Sequence, residues 1–203
     1  PIWRLPGLAA IYVGENFRFG RGRAGDVALL QRSGREHGIA VHSADRVSLA
    51  GEAVSSTRVR RELEAGAIEQ VNALLGQPYF ADGVVTPGKQ LGRTIGFPTL
   101  NVPWAPDFRP RLGVYAVGIS SAAHPQSLPG VANYGLRPTV EQASEPRLEV
   151  HLLDDCPYHA GDAVTVEWLH FLRPEMKFTG LDELRAQIAR DREVAVRYFA
   201  AGA

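Results

Sequence analysis

The sequence predicts two fold classes in succession: an α/β domain over residues 1–76, then an antiparallel six-stranded β-barrel with a C-terminal helix over residues 77–203. Three observations carry this. Strand-like and helix-like runs alternate in the first part, the signature of a parallel sheet. From residue 79 six short strand-like runs follow one another with only Gly- and Pro-rich turns between them, which suggests a closed barrel without exposed edges. The last 20 or so residues then show apolar side chains at near-helical spacing.

The first strand is read over Leu8 to Val13, an apolar run between Gly7 and Gly14. After it comes Gly14-Glu-Asn16-Phe17-Arg18-Phe19-Gly20, a loop with aromatic and basic residues. At the carboxyl end of a parallel strand such a loop is either a ligand site or a plain surface connection. Asp26 is placed to cap a helix to about His37, with Val27, Leu29 and Leu30 inward and Gly38 as its left-handed stop. Residues 39–42 and 47–49 read as further strands. Ser55-Ser56-Thr57-Arg58-Val59-Arg60 opens the next helix, whose hydroxyls either cap it or, with Arg58 and Arg60, receive an anion at its positive end. Ala67 to Leu75 forms a short helix ended by Gly76, and Gln77-Pro78 marks the expected boundary between the domains.

In the second part the strands are expected at 79–86, 99–102, 113–120, 128–134, 147–153 and 163–172. The link 172–180, with Met176 and Phe178, either lies over a ligand mouth or covers the barrel end. A final helix is expected from Leu181 to Phe199, with Leu181, Leu184, Ile188, Val194 and Tyr198 as its apolar face and Asp182 and Glu183 in the first turn, where the helix dipole favours acids.

Composition narrows the function. Twenty-two basic residues balance twenty-two acidic ones, so no broad attraction to nucleic acid or to an anionic membrane is expected. No apolar run reaches the roughly 20 residues of a membrane span. A single cysteine, Cys156, excludes an intrachain disulfide and reads as a reduced, partly buried thiol of a cytoplasmic protein. The six histidines show no transition-metal spacing. The sequence says nothing about oligomeric state.

The most informative stretch is Gly88-Lys89-Gln-Leu-Gly92-Arg93-Thr-Ile-Gly96-Phe97-Pro98-Thr99-Leu100-Asn101. Glycines four apart with Lys89 and Arg93 between them can expose amides and positive charge to a phosphate chain, though a plain surface turn has the same glycines. Neither the Walker A loop nor the dinucleotide fingerprint fits. Thr99 and Asn101 share a face if the segment is extended, and both offer hard oxygen ligands for Mg²⁺. In Leu148-Glu149-Val150-His151-Leu152, strict alternation puts Glu149 and His151 on one face, either a solvated face or a site. Asn133-Tyr-Gly-Leu-Arg137-Pro138-Thr139 supplies two further polar side chains, Asn133 and Arg137, in what also reads as an ordinary β-connection.

The combined run Gly-x-x-x-Gly-Arg-x-x-Gly-Phe-Pro-Thr-x-Asn resembles the riboflavin kinase signature, with Leu100 where alanine is usual. Asn-x-Gly-x-Arg-Pro-Thr and Glu-x-His are similar to that family's other motifs. The first part resembles the nucleotidyltransferase (Rossmann-like) domain fused ahead of the kinase in bacterial bifunctional riboflavin kinase/FMN adenylyltransferases, through Asn16-Phe17 and Ser55 to Arg60. The resemblance implies transfer of a phosphoryl group from ATP to the ribityl 5′-hydroxyl of riboflavin, giving FMN and ADP. It implies Gly88, Lys89, Gly92, Arg93, Gly96, Thr99 and Asn101 on ATP, Thr99 and Asn101 on Mg²⁺, Glu149 as the base, and Asn133, Arg137 and Phe178 near the flavin. His151 is implied as a support. The adenylyltransferase's His-x-Gly-His is absent from these 203 residues, and the resemblance expects it ahead of Pro1, so this chain is not expected to adenylate FMN by itself. The competing readings are FMN adenylylation by a longer parent and a non-catalytic flavin- or nucleotide-binding module.

Overall fold

A computed structural model of the chain describes residues 2–88, 96–136 and 146–202. These fall into two compact units, Pro1–Ser55 and Ser56–Ala203.

In the first unit β1 (Ala10–Gly14) runs parallel to β2 (Ala40–Ala44), with Ala10 opposite Ala40, and α1 (Val27–Glu36) forms the crossover between them. The expected cap is present: Asp26 Oδ1 accepts the Leu29 amide at 2.8 Å. Gly38 has φ +68°, as the left-handed stop requires. The inward face differs from the expected one. Leu30 and Gly34 are buried while Leu29 is exposed, because β2 lies so close that a Cβ on Gly34 would sit 2.6 Å from the Val41 side chain. A two-residue hairpin joins β3 (Ser48–Leu49) to β4 (Glu52–Ala53).

The second unit begins at α2 (Ser56–Ala65), followed by α3 (Ile68–Leu75), which ends on left-handed Gly76. The sequence boundary at residue 76 assigns both helices to the first domain. In the structure Leu63, Ile68 and Val71 are buried in the same core cluster as Tyr115, Val150 and Trp168, so the apolar faces of both helices belong with the β-sheet. Asn72 reinforces this: its Nδ2 donates to the Trp168 carbonyl and its Oδ1 accepts the Tyr79 amide, both at 2.8 Å.

The six expected strands form β5 (Tyr79–Val84), β6 (Leu100–Val102), β7 (Gly113–Ser120), β8 (Leu128–Gly135), β9 (Arg147–Leu152) and β10 (Ala163–Pro174). They pair antiparallel in the order β5-β10-β7-β8-β9-β6. Closure is slighter than expected: the sheet is a half-barrel whose two ends meet, among the described residues, through the bridge Thr86–Asn101. Two register shifts in β10, after Trp168 and after Phe171, bend that strand around the core. Inside lie Tyr115, Tyr134 and Trp168, fully buried, with Tyr79 and Trp104 packed against them.

The C-terminal helix, α4 (Leu181–Ala200), lies on the outer face of the sheet, where Ala195, Tyr198 and Phe199 pack with Ala116, Val131 and Leu172. Leu181 and Val194, expected to face inward, are exposed. The buried stripe instead contains Asp191, which is inward because it binds Arg173 of β10. The guanidinium donates to Asp191 Oδ1 at 2.8 Å and to Oδ2 at 2.7 Å. Strand β10 runs two residues past its expected end at Leu172. Cys156, read as partly buried, is exposed, because it sits in the turn after β9.

Candidate active site

Residues directly paired in an antiparallel sheet project to the same side with Cβ atoms about 5 Å apart. Asn101 of β6 is paired with Glu149 of β9, and Glu149 with Asn133 of β8. Beyond them the row continues through Val114 to Arg173, and on the other side to Thr86. One row thus carries an amide, a carboxylate and a second amide on three neighbouring strands. Leu148 and Val150, on either side of Glu149, are buried in the core, so the row faces outward, on the side where α4 packs.

Asn101 is the most constrained member. Its Oδ1 is buried and has no hydrogen-bond partner among the described residues. A buried oxygen left without a partner costs about 1–3 kcal/mol, which a bound cation or donor would remove. Gly88 lies flat against the same amide: a Cβ there would be 2.1 Å from Asn101 Nδ2. The backbone of Asn101 makes the bridge, its carbonyl accepting the Thr86 amide at 2.8 Å.

Thr99 is exposed just ahead of β6, preceded by Gly96 with φ +87°. His151 faces this segment, its Nδ1 donating to the Pro98 carbonyl at 2.9 Å and its ring meeting Phe97 edge-on at 5.4 Å. Next to it a cavity of about 500 Å³ is lined by Gly96 and Phe97, by His151 and the 152–155 turn, and by Arg192 of α4. Arg192 is fixed there by donating to the Leu153 carbonyl at 2.7 Å.

At the other end of the row the Arg173 guanidinium lies over Phe178, 5.9 Å from its ring centre. Lys89, Gly92, Arg93 and Arg137 lie outside the described residues. The structure therefore brings Asn101, Glu149 and Asn133 into one row on adjacent strands, with Gly88 against the Asn101 amide and Thr99 just ahead of β6.

The candidate adenylyltransferase residues divide between the units: Asn16, Phe17 and Ser55 in the first, Ser56, Thr57, Arg58 and Arg60 in the second. Phe17 stacks on Phe19 at 5.9 Å, Arg58 is buried, and the Arg60 guanidinium lies 5.8 Å from the Phe108 ring centre.

Sequence reasoning missed Asp191, Arg192 and the Asp154-Asp155 wall of the cavity. None has a local signal, since each acts through a strand or helix distant in the chain.

Comparison with known proteins places this geometry. Residues 75–199 match the riboflavin kinase family model, and residues 5–58 match that of FAD synthetase. The chain is 45% identical over 187 residues to the bifunctional riboflavin kinase/FMN adenylyltransferase of Escherichia coli (strain K12), covering 92% of this chain and 59% of that protein. It is 38% identical over 187 residues to the enzyme of the same name from Haemophilus influenzae, covering 92% and 60%. With that from Bacillus subtilis it shares 42% over 149 residues, covering 72% and 46%. The chain thus spans less than two thirds of the length of these relatives.

Among solved structures it superposes on one described as a macrolide-efflux protein from Streptococcus pneumoniae, with a TM-score of 0.76 and 30% identity, covering 90% of this chain and 58% of that one. Among the described residues no helix is long and apolar enough to cross a membrane. The match over residues 75–199 takes in the half-barrel, the acid–amide row and α4, and by it the chain belongs to the riboflavin kinase family.

Proposed function

We propose that this chain phosphorylates riboflavin at the ribityl 5′-hydroxyl, using ATP and Mg²⁺, and releases FMN and ADP. The observation that carries the reading is the pairing of Asn101 with Glu149, which sets a hard oxygen donor and a carboxylate side by side. Phosphoryl transfer to an alcohol requires just these two functions: stabilised phosphate charge, and a base for the hydroxyl proton.

Mg²⁺ takes oxygen ligands, and the donors present fit it: Asn101 Oδ1 is buried and without a partner among the described residues, and Thr99 stands two residues earlier in the chain. Held there, the ion would neutralise charge on the phosphate chain. Glu149 accepts the proton of the 5′-hydroxyl as its oxygen attacks the γ-phosphorus in line with the departing ADP. Gly88 to Gly96, with Lys89 and Arg93, is assigned to the phosphate chain. The carboxylates of Asp154 and Asp155 would repel phosphate but accept hydrogen bonds from ribose or base, so the cavity beside His151 is assigned to the nucleoside end of ATP. Asn133, Arg137 and Phe178 are assigned to the flavin.

FMN formation from riboflavin, ATP and Mg²⁺, followed by chromatography, tests the assignment. Glu149→Gln should lower turnover by about 10²–10⁴-fold, the usual worth of a positioned base, with little change in melting temperature. Wild-type protein that makes no FMN, or a Glu149→Gln enzyme of undiminished rate, refutes it.

A second reading concerns the parent protein. The match of residues 5–58 to FAD synthetase supports FMN adenylylation by a longer chain, through Asn16, Phe17 and Ser55 to Arg60. The test is FAD production from FMN and ATP by the full-length protein and by this chain, compared side by side.

A further inference from the structure

Backbone pairing between β6 and β9 runs from Val102–Leu148 to Leu100–Val150 and stops there. Two residues earlier stands Pro98, which has no N–H and cannot continue a ladder. Thr99, the residue assigned to the ion, therefore lies just where main-chain support ends. At that point the His151 side chain takes over: its Nδ1–H donates to the Pro98 carbonyl at 2.9 Å, and its ring meets the edge of Phe97 at 5.4 Å. His151 is also two residues from Glu149 on the same strand and the same face.

We propose that His151 is a positioning residue. It gives the Pro98 carbonyl a donor where the β6–β9 ladder has ended, and so holds the Thr99 hydroxyl in register with Asn101 and Glu149. The role of Thr99 rests on the kinase reading above; the brace itself rests on the contacts of His151 alone. The functional consequence is specific: loss of the Nδ1–H should loosen the 97–101 segment and weaken the metal–nucleotide complex, without touching the flavin side.

The test compares wild-type protein with His151→Phe, which keeps a ring against Phe97 but lacks the donor, and with His151→Asn, whose amide offers an N–H near the Nδ1 position. Two readouts are used: hydrogen exchange of the peptide spanning 97–102, and Mn²⁺ affinity in the presence of ADP, measured by the loss of the free-ion electron paramagnetic resonance signal. For His151→Phe, exchange should quicken and the Mn²⁺ dissociation constant should rise about three- to tenfold, the range expected for one hydrogen bond. His151→Asn should recover most of both, and riboflavin affinity by fluorescence quenching should stay at the wild-type value. Wild-type exchange and Mn²⁺ affinity in His151→Phe overturn the proposal, as does a defect that His151→Asn fails to relieve. Wild-type protein that binds no Mn²⁺ with ADP brings down the reading of the site itself, an outcome distinct from wild-type binding that His151→Phe leaves unchanged.

Discussion

Gly88 and Asn101 show what a single position can decide. The sequence reads the glycine as part of a run suited to a phosphate chain, and the structure gives a separate reason for it, since the Asn101 amide occupies the space a Cβ would fill. Gly88→Ala should therefore displace Asn101. The expected cost is about 1–3 kcal/mol of stability from overpacking, with a larger proportional loss of Mg²⁺-dependent turnover than of riboflavin binding. Thermal melts and an FMN assay at graded Mg²⁺ would check this. Glu149 was placed on the outward face by alternation alone, and the burial of Leu148 and Val150 agrees. Its pairing with Asn101 was not legible, because residues 48 positions apart in the chain carry no mark of mutual register.

At the level of elements, the Arg173–Asp191 pair ties α4 to β10 beside the apolar contacts of Tyr198 and Phe199 with Leu172. The Arg173 side chain is 16% exposed and that of Asp191 7%, so neither charge has much access to water. Gln187 adds a third bond, its Nε2 donating to Asp191 Oδ1 at 2.8 Å. Removing one partner strands the other in a low-dielectric site. Asp191→Ala should cost about 3–5 kcal/mol, whereas the double replacement Arg173→Met/Asp191→Leu should cost far less, as chemical denaturation of both would show. Periodicity found this helix and the half-buried Leu184, Ile188 and Tyr198, but misplaced Leu181 and Val194. Apolar residues at helical spacing mark a buried stripe only when no ion pair competes, and here the inward place at 191 goes to a carboxylate. By contrast α3 was legible to within a residue, since Ile68, Val71 and Leu74 are all buried and Gly76 takes the left-handed stop.

The main core of the second unit is rich in tyrosine hydroxyls, and this gives the unit a characteristic alkaline limit. Burial, with a smaller contribution from Tyr134, pushes the Tyr79 phenol up to about 12, and burial raises Tyr115 as well. An unfolded tyrosine ionises near pH 10. The folded state binds these protons more tightly, so the stability they confer is complete below about pH 10 and is lost as pH rises from there toward 12 and beyond. Urea midpoints should fall across that interval, and Tyr79→Phe should flatten part of the decline. The positions of the strands and helices along the chain were readable because they rest on local periodicity and turn chemistry. The allegiance of α2 and α3 was not, because it depends on which apolar surface they cover. That allegiance has a practical corollary for anyone trimming the gene. A version beginning at residue 77 would discard Leu63, Ile68 and Val71, uncover the aromatic interior they shield, and invite precipitation, whereas one beginning at Ser56 retains its own lining.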